Sequence, residues 1–117
     1  MLKDGAPNHP TPKSPYDQAL EGLKLDYTWS TGGFDNIMLL DATIKNNSPY
    51  AVKDLVIFCD DLANSGTHID ENSKTVYESL ASGQTLTLHK FNMGFINSQA
   101  TRAICTVVGL KLIQAKN

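Results

Sequence analysis

Residues 42–59, ATIKNNSPYAVKDLVIFC, are the stretch whose reading decides the fold. They read as two strands joined at Asn46-Asn47-Ser48-Pro49. Before the junction, Met38, Leu40, Ala42 and Ile44 alternate with Leu39, Asp41, Thr43 and Lys45. After it, Val56, Ile57 and Phe58 are β-branched or aromatic, between Asp54 and Asp60. Alternation around a turn cluster is a strand–turn–strand signal. Asn tolerates positive φ, and Pro49 lacks a donor, so both suit a reversal. A helix over residues 35–45 lacks the i, i+4 apolar partners it needs. The stretch is therefore expected to be a hairpin at the centre of a small β-sandwich.

Working outward, the N-terminal side begins with residues 1–14, which hold Pro7, Pro10 and Pro12 and no periodicity. They read as an extended tether, leaving residues 15–117 as one domain. Ser14 suits an N-cap, Pro15 the first helical position, and Gly22 a stop, so a short helix lies between them. Leu23, Leu25, Tyr27 and Trp29 then alternate with Lys24, Asp26, Thr28 and Ser30, which is a half-exposed strand. Trp29 shares the apolar face, so it reads as core rather than as a sugar-stacking platform. Gly32-Gly33 supplies a tight reversal. No phosphate-loop pattern surrounds it.

On the C-terminal side, His68-Ile69 reads as a short strand, Asp70-Glu71-Asn72-Ser73 as a turn, and residues 74–78 as another strand. Ala81-Ser82-Gly83-Gln84 is a turn. Leu86 and Leu88 mark the next strand, and residues 101–112 the last, with a bend expected at Gly109. Between them, Phe91, Met93, Phe95 and Ile96 break the alternation. They read as an apolar loop that either plugs the sandwich or serves as an interaction site. The total is about seven short strands with regular turn signals, the pattern of an all-β sandwich or barrel.

The chain has 117 residues and a formal net charge of −2. That is enough for one core. Basic residues are scattered, which argues against nucleic acid. No apolar run approaches the roughly 20 residues of a membrane span. No signal peptide is read at Met1, which leaves open a soluble piece of a secreted or anchored protein. The two cysteines, Cys59 and Cys105, sit in separate core-type strands. A bridge between them would be worth roughly 3–5 kcal/mol and would place the protein in an oxidising compartment. Two buried thiols or an intermolecular bridge are the alternatives.

Catalytic signatures are missing from the sequence. There is no GxSxG elbow, no HExxH, and no His/Cys ligand spacing around His9, His68 or His89. Neither an enzyme nor a cofactor is expected. Asp60, Asp61 and Asp70 crowd neighbouring positions and are the candidates for calcium, although the D-x-[DN]-x-[DN]-G loop is absent.

IKNNSPYAVKDLVIFCDD (44–61), followed by SGTHID (65–70) and LASGQTLTLHKF (80–91), resembles the FxLYD-type domains of bacterial envelope proteins. Phe58-Cys59-Asp60-Asp61 stands near the place of the family's F-x-L-Y-D string. The resemblance spans roughly residues 28–112. It implies an immunoglobulin-like antiparallel sandwich in a secreted, periplasmic or membrane-anchored protein, and it transfers no catalytic residue. The expected function is a non-catalytic extracytoplasmic module that binds or assembles with another protein. The alternative is a small-ligand or carbohydrate-binding domain that uses the acidic loops, with or without calcium. The partner and the oligomeric state are not legible.

Overall fold

The computed structural model describes residues 12–114. His9 and all of the expected tether before residue 12 lie outside the described residues. The first element, α1 (Pro15–Glu21), forms as its caps require. The Ser14 hydroxyl accepts from the Asp17 N–H at 3.1 Å, Pro15 opens the helix, and the Gly22 N–H donates to the Gln18 carbonyl at 3.0 Å. Gly22 is in ordinary helical backbone, so its role is close approach. A Cβ there would lie 2.7 Å from Ser48 Cβ.

Six strands follow: β1 (Leu23–Gly32), β2 (Ile37–Asn46), β3 (Val52–Leu62), β4 (His68–Leu80), β5 (Thr85–Phe95) and β6 (Arg102–Leu112). They form two antiparallel three-stranded sheets, in the orders β1-β2-β5 and β4-β3-β6. The two sheets share one apolar core. The central strands supply most of its fully buried members: Met38, Leu40 and Ile44 from β2, and Val52, Leu55, Ile57 and Cys59 from β3. Burying each large aliphatic side chain is worth about 1.5–3 kcal/mol.

Three expectations need correction. First, residues 42–59 are two strands around a reversal but not a hairpin, because β2 and β3 belong to different sheets. The link is an arch that crosses the roughly 10 Å between layers. Both strands point their apolar residues at the same core from opposite sides. Second, residues 70–73 are not a turn. They continue β4, so there are six strands rather than seven. Their polarity is that of an edge strand, not of a reversal. Third, residues 91–95 are not a loop but the end of β5.

The third misreading has a specific cause. Leu88 and Phe91 both pack on the core although they are three residues apart. A bulge makes this possible: Ala42 pairs with Leu88 and Leu40 with Phe91, so β5 carries one extra residue. Lys90 absorbs it at φ 49°, its N–H held by the Asp41 carboxylate at 3.0 Å. A second bulge separates the Leu39–Asn92 and Met38–Gly94 pairs. Gly109, where a bend is expected, sits at a register slip, since Val56 pairs with Gly109 and Ile57 with Val107.

Asn46 holds the arch. Its side chain is fully buried. Nδ2 donates to the Tyr50 carbonyl at 2.7 Å and to the Leu80 carbonyl at 3.1 Å. Oδ1 accepts from the Ser48 N–H at 3.0 Å and the Ser48 hydroxyl at 2.6 Å. Asn46→Ala strands these groups without water, so urea denaturation is expected to show a loss of about 3 kcal/mol. Asn46→Asp should lose a similar amount, because a carboxylate cannot donate to two carbonyls. Asn47→Ala, at an exposed position, should change stability by less than about 0.5 kcal/mol.

Candidate functional site

Three connections gather at the end of the sandwich away from α1. They are the β1–β2 turn (33–36), the β3–β4 turn (63–67) and the β5–β6 link (96–101). Backbone hydrogen bonds tie them to one another and to the sheets. The Ile96 N–H donates to the Asn36 carbonyl at 2.9 Å, and the Thr101 N–H to the Leu62 carbonyl at 2.9 Å. Positive φ at Gly33 and Asp35 closes the first turn.

Two aromatic rings stand out from this end. Phe34 is 97% exposed at the tip of the β1–β2 turn, and Phe95 is 74% exposed at the end of β5. They flank one hydrogen bond, since Phe34 lies two residues before Asn36 and Phe95 one before Ile96. Of the apolar residues expected to form an interaction loop, only Phe95 is exposed. Met93 and Ile96 are buried, and Phe91 is half-buried against the core. The plug reading names Phe95 and Ile96 together; Ile96 is buried with the core, whereas Phe95 points outward. Phe34 was missed, because a lone aromatic between glycines and acids carries no pattern.

Of the three acidic residues singled out beneath these turns, Asp61 and Asp70 are cross-strand partners and Asp60 is set apart from them. Strand alternation sends Asp60 and Asp61 to opposite faces of β3. Asp60 faces outward and accepts from His68 Nδ1–H, a contact that raises the His68 pKa above its ordinary value. Asp61 faces inward and is fully buried, and among the described residues neither of its oxygens has a hydrogen-bond partner. Burial first, then the charges of Asp70 and Asp60, pushes its pKa up to about 6. Asp70 is the residue opposite Asp61 on β4 and is exposed. Among the described residues, no three His, Cys, Asp or Glu side chains are grouped to hold a metal.

Asn72 occupies the next inward position of β4, opposite Cys59. Its amide nitrogen donates across to the other sheet, to the Met93 carbonyl at 3.1 Å and the Phe95 carbonyl at 2.7 Å. Its Oδ1 is buried and has no donor among the described residues. The reading of residues 70–73 as a turn hid this side chain, although it shares the inward parity of Val76.

Cys59 and Cys105 form a disulfide, and no cysteine is free. They are direct cross-strand partners in β3 and β6, within one sheet. On the far side of β6, the Tyr27 hydroxyl donates to the Ala103 carbonyl at 3.1 Å and accepts from the Cys105 N–H at 2.9 Å. Thus β1 grips the edge of β6 beside the bridge. A bridge and the absence of a membrane-spanning helix among the described residues are both compatible with an extracytoplasmic protein.

Comparison with protein-family models, with curated proteins and with solved structures finds no match for this chain.

Two expectations follow from this geometry. The disulfide closes a separation of 46 residues, for which loop closure gives about 4 kcal/mol. Chemical denaturation with and without reductant is expected to differ by that order, and equal midpoints would contradict it. The second concerns pH. Between the ordinary 3.8 and about 6, folded Asp61 keeps a proton that the unfolded chain has lost. Stability therefore falls as pH rises through that window and is regained below it. His68 works in the same direction, its contribution present below 6.5 and lost as pH rises through its folded value. In chelator-containing buffer the melting temperature should fall from pH 4.5 to 7.5. Asp61→Asn should remove the Asp61 part of that slope and leave the His68 part, and an unchanged slope would contradict the assignment.

Proposed function

We propose that this chain is a non-catalytic binding module of an extracytoplasmic compartment, periplasmic or cell-envelope, that engages a protein partner through the turn end of its sandwich. The observation that carries this reading is the pair of exposed rings, Phe34 and Phe95, fixed on either side of the Asn36–Ile96 hydrogen bond. Aromatic residues that protrude from well-ordered backbone are what protein interfaces use as anchors. Neither ring contributes to the core, so folding alone does not account for their apolar character.

Partner binding by strand addition is the alternative, and it is restricted at two of the four edge strands. An edge strand is a template only where its N–H and C=O groups are free. Tyr27 occupies the edge of β6 at Ala103 and Cys105, and α1 packs against the same strand. Asn72 occupies the edge of β5 at Met93 and Phe95. Among the described residues, nothing covers Phe34 and Phe95 at the turn end in this way.

The resemblance of residues 44–61, 65–70 and 80–91 to FxLYD-type envelope domains supports the same reading, and with it an immunoglobulin-like arrangement. One feature departs from antibody-type domains. There the bridge joins the two sheets, whereas here it lies between neighbours in one sheet.

The test is site-specific photocrosslinking in the envelope of the source cells. A crosslinker at position 34 or 95 is expected to capture one discrete protein, and one at Thr28, exposed on the outer face of β1, should not. The double variant Phe34→Ala/Phe95→Ala should keep its stability within about 0.5 kcal/mol and lose association with the captured protein. Equal capture from all three positions would remove the reading.

A further inference from the structure

We infer that the inner face of the sandwich at its turn end binds a calcium-type divalent cation, held by the Asp61 carboxylate together with Asp70 and the Asn72 amide oxygen. The inference goes beyond the protein-binding role and does not depend on it.

The first observation is an uncompensated charge. Asp61 is fully enclosed, and among the described residues both its oxygens lack a donor. A buried carboxylate is tolerated when it is paired, hydrogen-bonded or bound to a metal. Among the described residues Asp61 forms no ion pair with a Lys or Arg. The charged groups that act on it are Asp70, Asp60 and Glu71, all negative, and the imidazole of His68, which is engaged with Asp60. The surroundings therefore add negative charge to a group that already lacks a counterion.

The second observation is independent of charge. Asn72 Oδ1 is also buried without a donor, while its amide nitrogen is fully used on β5. The amide thus presents an acceptor to the interior and cannot rotate to present a donor without losing two hydrogen bonds. Register places these groups on one face. Asp70 is directly opposite Asp61, and Asn72 is the diagonal neighbour, opposite Cys59. Such pairs have Cβ atoms about 5 and 7 Å apart, within reach of a shared ion for short oxygen-bearing side chains. Asp60 takes no part, because it lies on the other face of β3.

The donor set selects the ion. Two carboxylates and an amide oxygen are hard ligands, which favour calcium over softer metals. Magnesium demands stricter octahedral geometry and gives up its water reluctantly, so it is expected to bind more weakly. Two charged ligands place the site with extracellular calcium modules, whose dissociation constants are about 10⁻⁴–10⁻³ M.

Thermal unfolding after chelator treatment, at pH 7.5, tests this. With 10 mM calcium the wild-type protein and Asp60→Asn should both melt about 4 °C higher or more. The rise should be absent in Asp61→Asn and reduced in Asp70→Asn, each compared with its own calcium-free melt. Calorimetric titration of the chelator-treated protein with calcium should give one site, lost in Asp61→Asn. No shift and no heat for the wild-type protein would overturn the inference. So would an equal shift in Asp61→Asn, which would put the ion elsewhere.

Discussion

The structure depends on a polar side chain placed where an apolar one would be expected. Asn46 ends β2 with its carboxamide turned inward, and every hydrogen-bonding group of that amide is used within the arch and against the end of β4. Its backbone is used as well, exchanging bonds with Gly83 and Gln84 in the β4–β5 turn. One residue thus joins the arch, the last carbonyl of β4 and the next turn. A hairpin keeps both strands in one sheet through ladder bonds. An arch has no ladder across it, so side-chain bonds must fix its geometry instead.

The same device recurs at the facing edges of the two sheets. Tyr27 reaches from β1 to the backbone of β6, and Asn72 from β4 to the backbone of β5. In both cases a side chain of one sheet occupies edge groups of the other. This fastens the layers and at the same time removes part of the edge that another chain might extend. The disulfide adds a covalent tie on the opposite side of β6 from the Tyr27 contact. Both flanks of Cys105 are therefore constrained, one by a covalent bond and one by a hydroxyl.

These ties leave the two ends of the sandwich unlike each other. At one end α1, the arch and the β4–β5 turn pack together, with Gly22 against Ser48 and the Ser82 hydroxyl on the Ser48 carbonyl. At the other, apolar rings project outward while an unpaired carboxylate and an unpaired amide oxygen lie just inside. Buried polar groups without partners are costly in a fold that satisfies such groups so thoroughly elsewhere. Their concentration at the end that also bears Phe34 and Phe95 is why both functional readings fall there.

Local residue chemistry was enough to determine the all-β character, the capped helix, the glycine turns, the strand of alternating Leu23, Leu25, Tyr27 and Trp29, and the cysteines as core-strand residues. Those features arise from interactions between near neighbours in the chain, where periodicity and φ preference act directly. Tertiary structure alone decided which strands share a sheet, because a hairpin and an arch reverse the chain with the same turn residues. It also decided the fate of residues 91–95, whose broken alternation is set right by bulges that exist only against β2. The separation of Asp60 from Asp61 was implicit in strand alternation. That Asp61 should be left without a partner was not, since a buried charge is defined by what surrounds it, and those surroundings come from β4 and the closing turns.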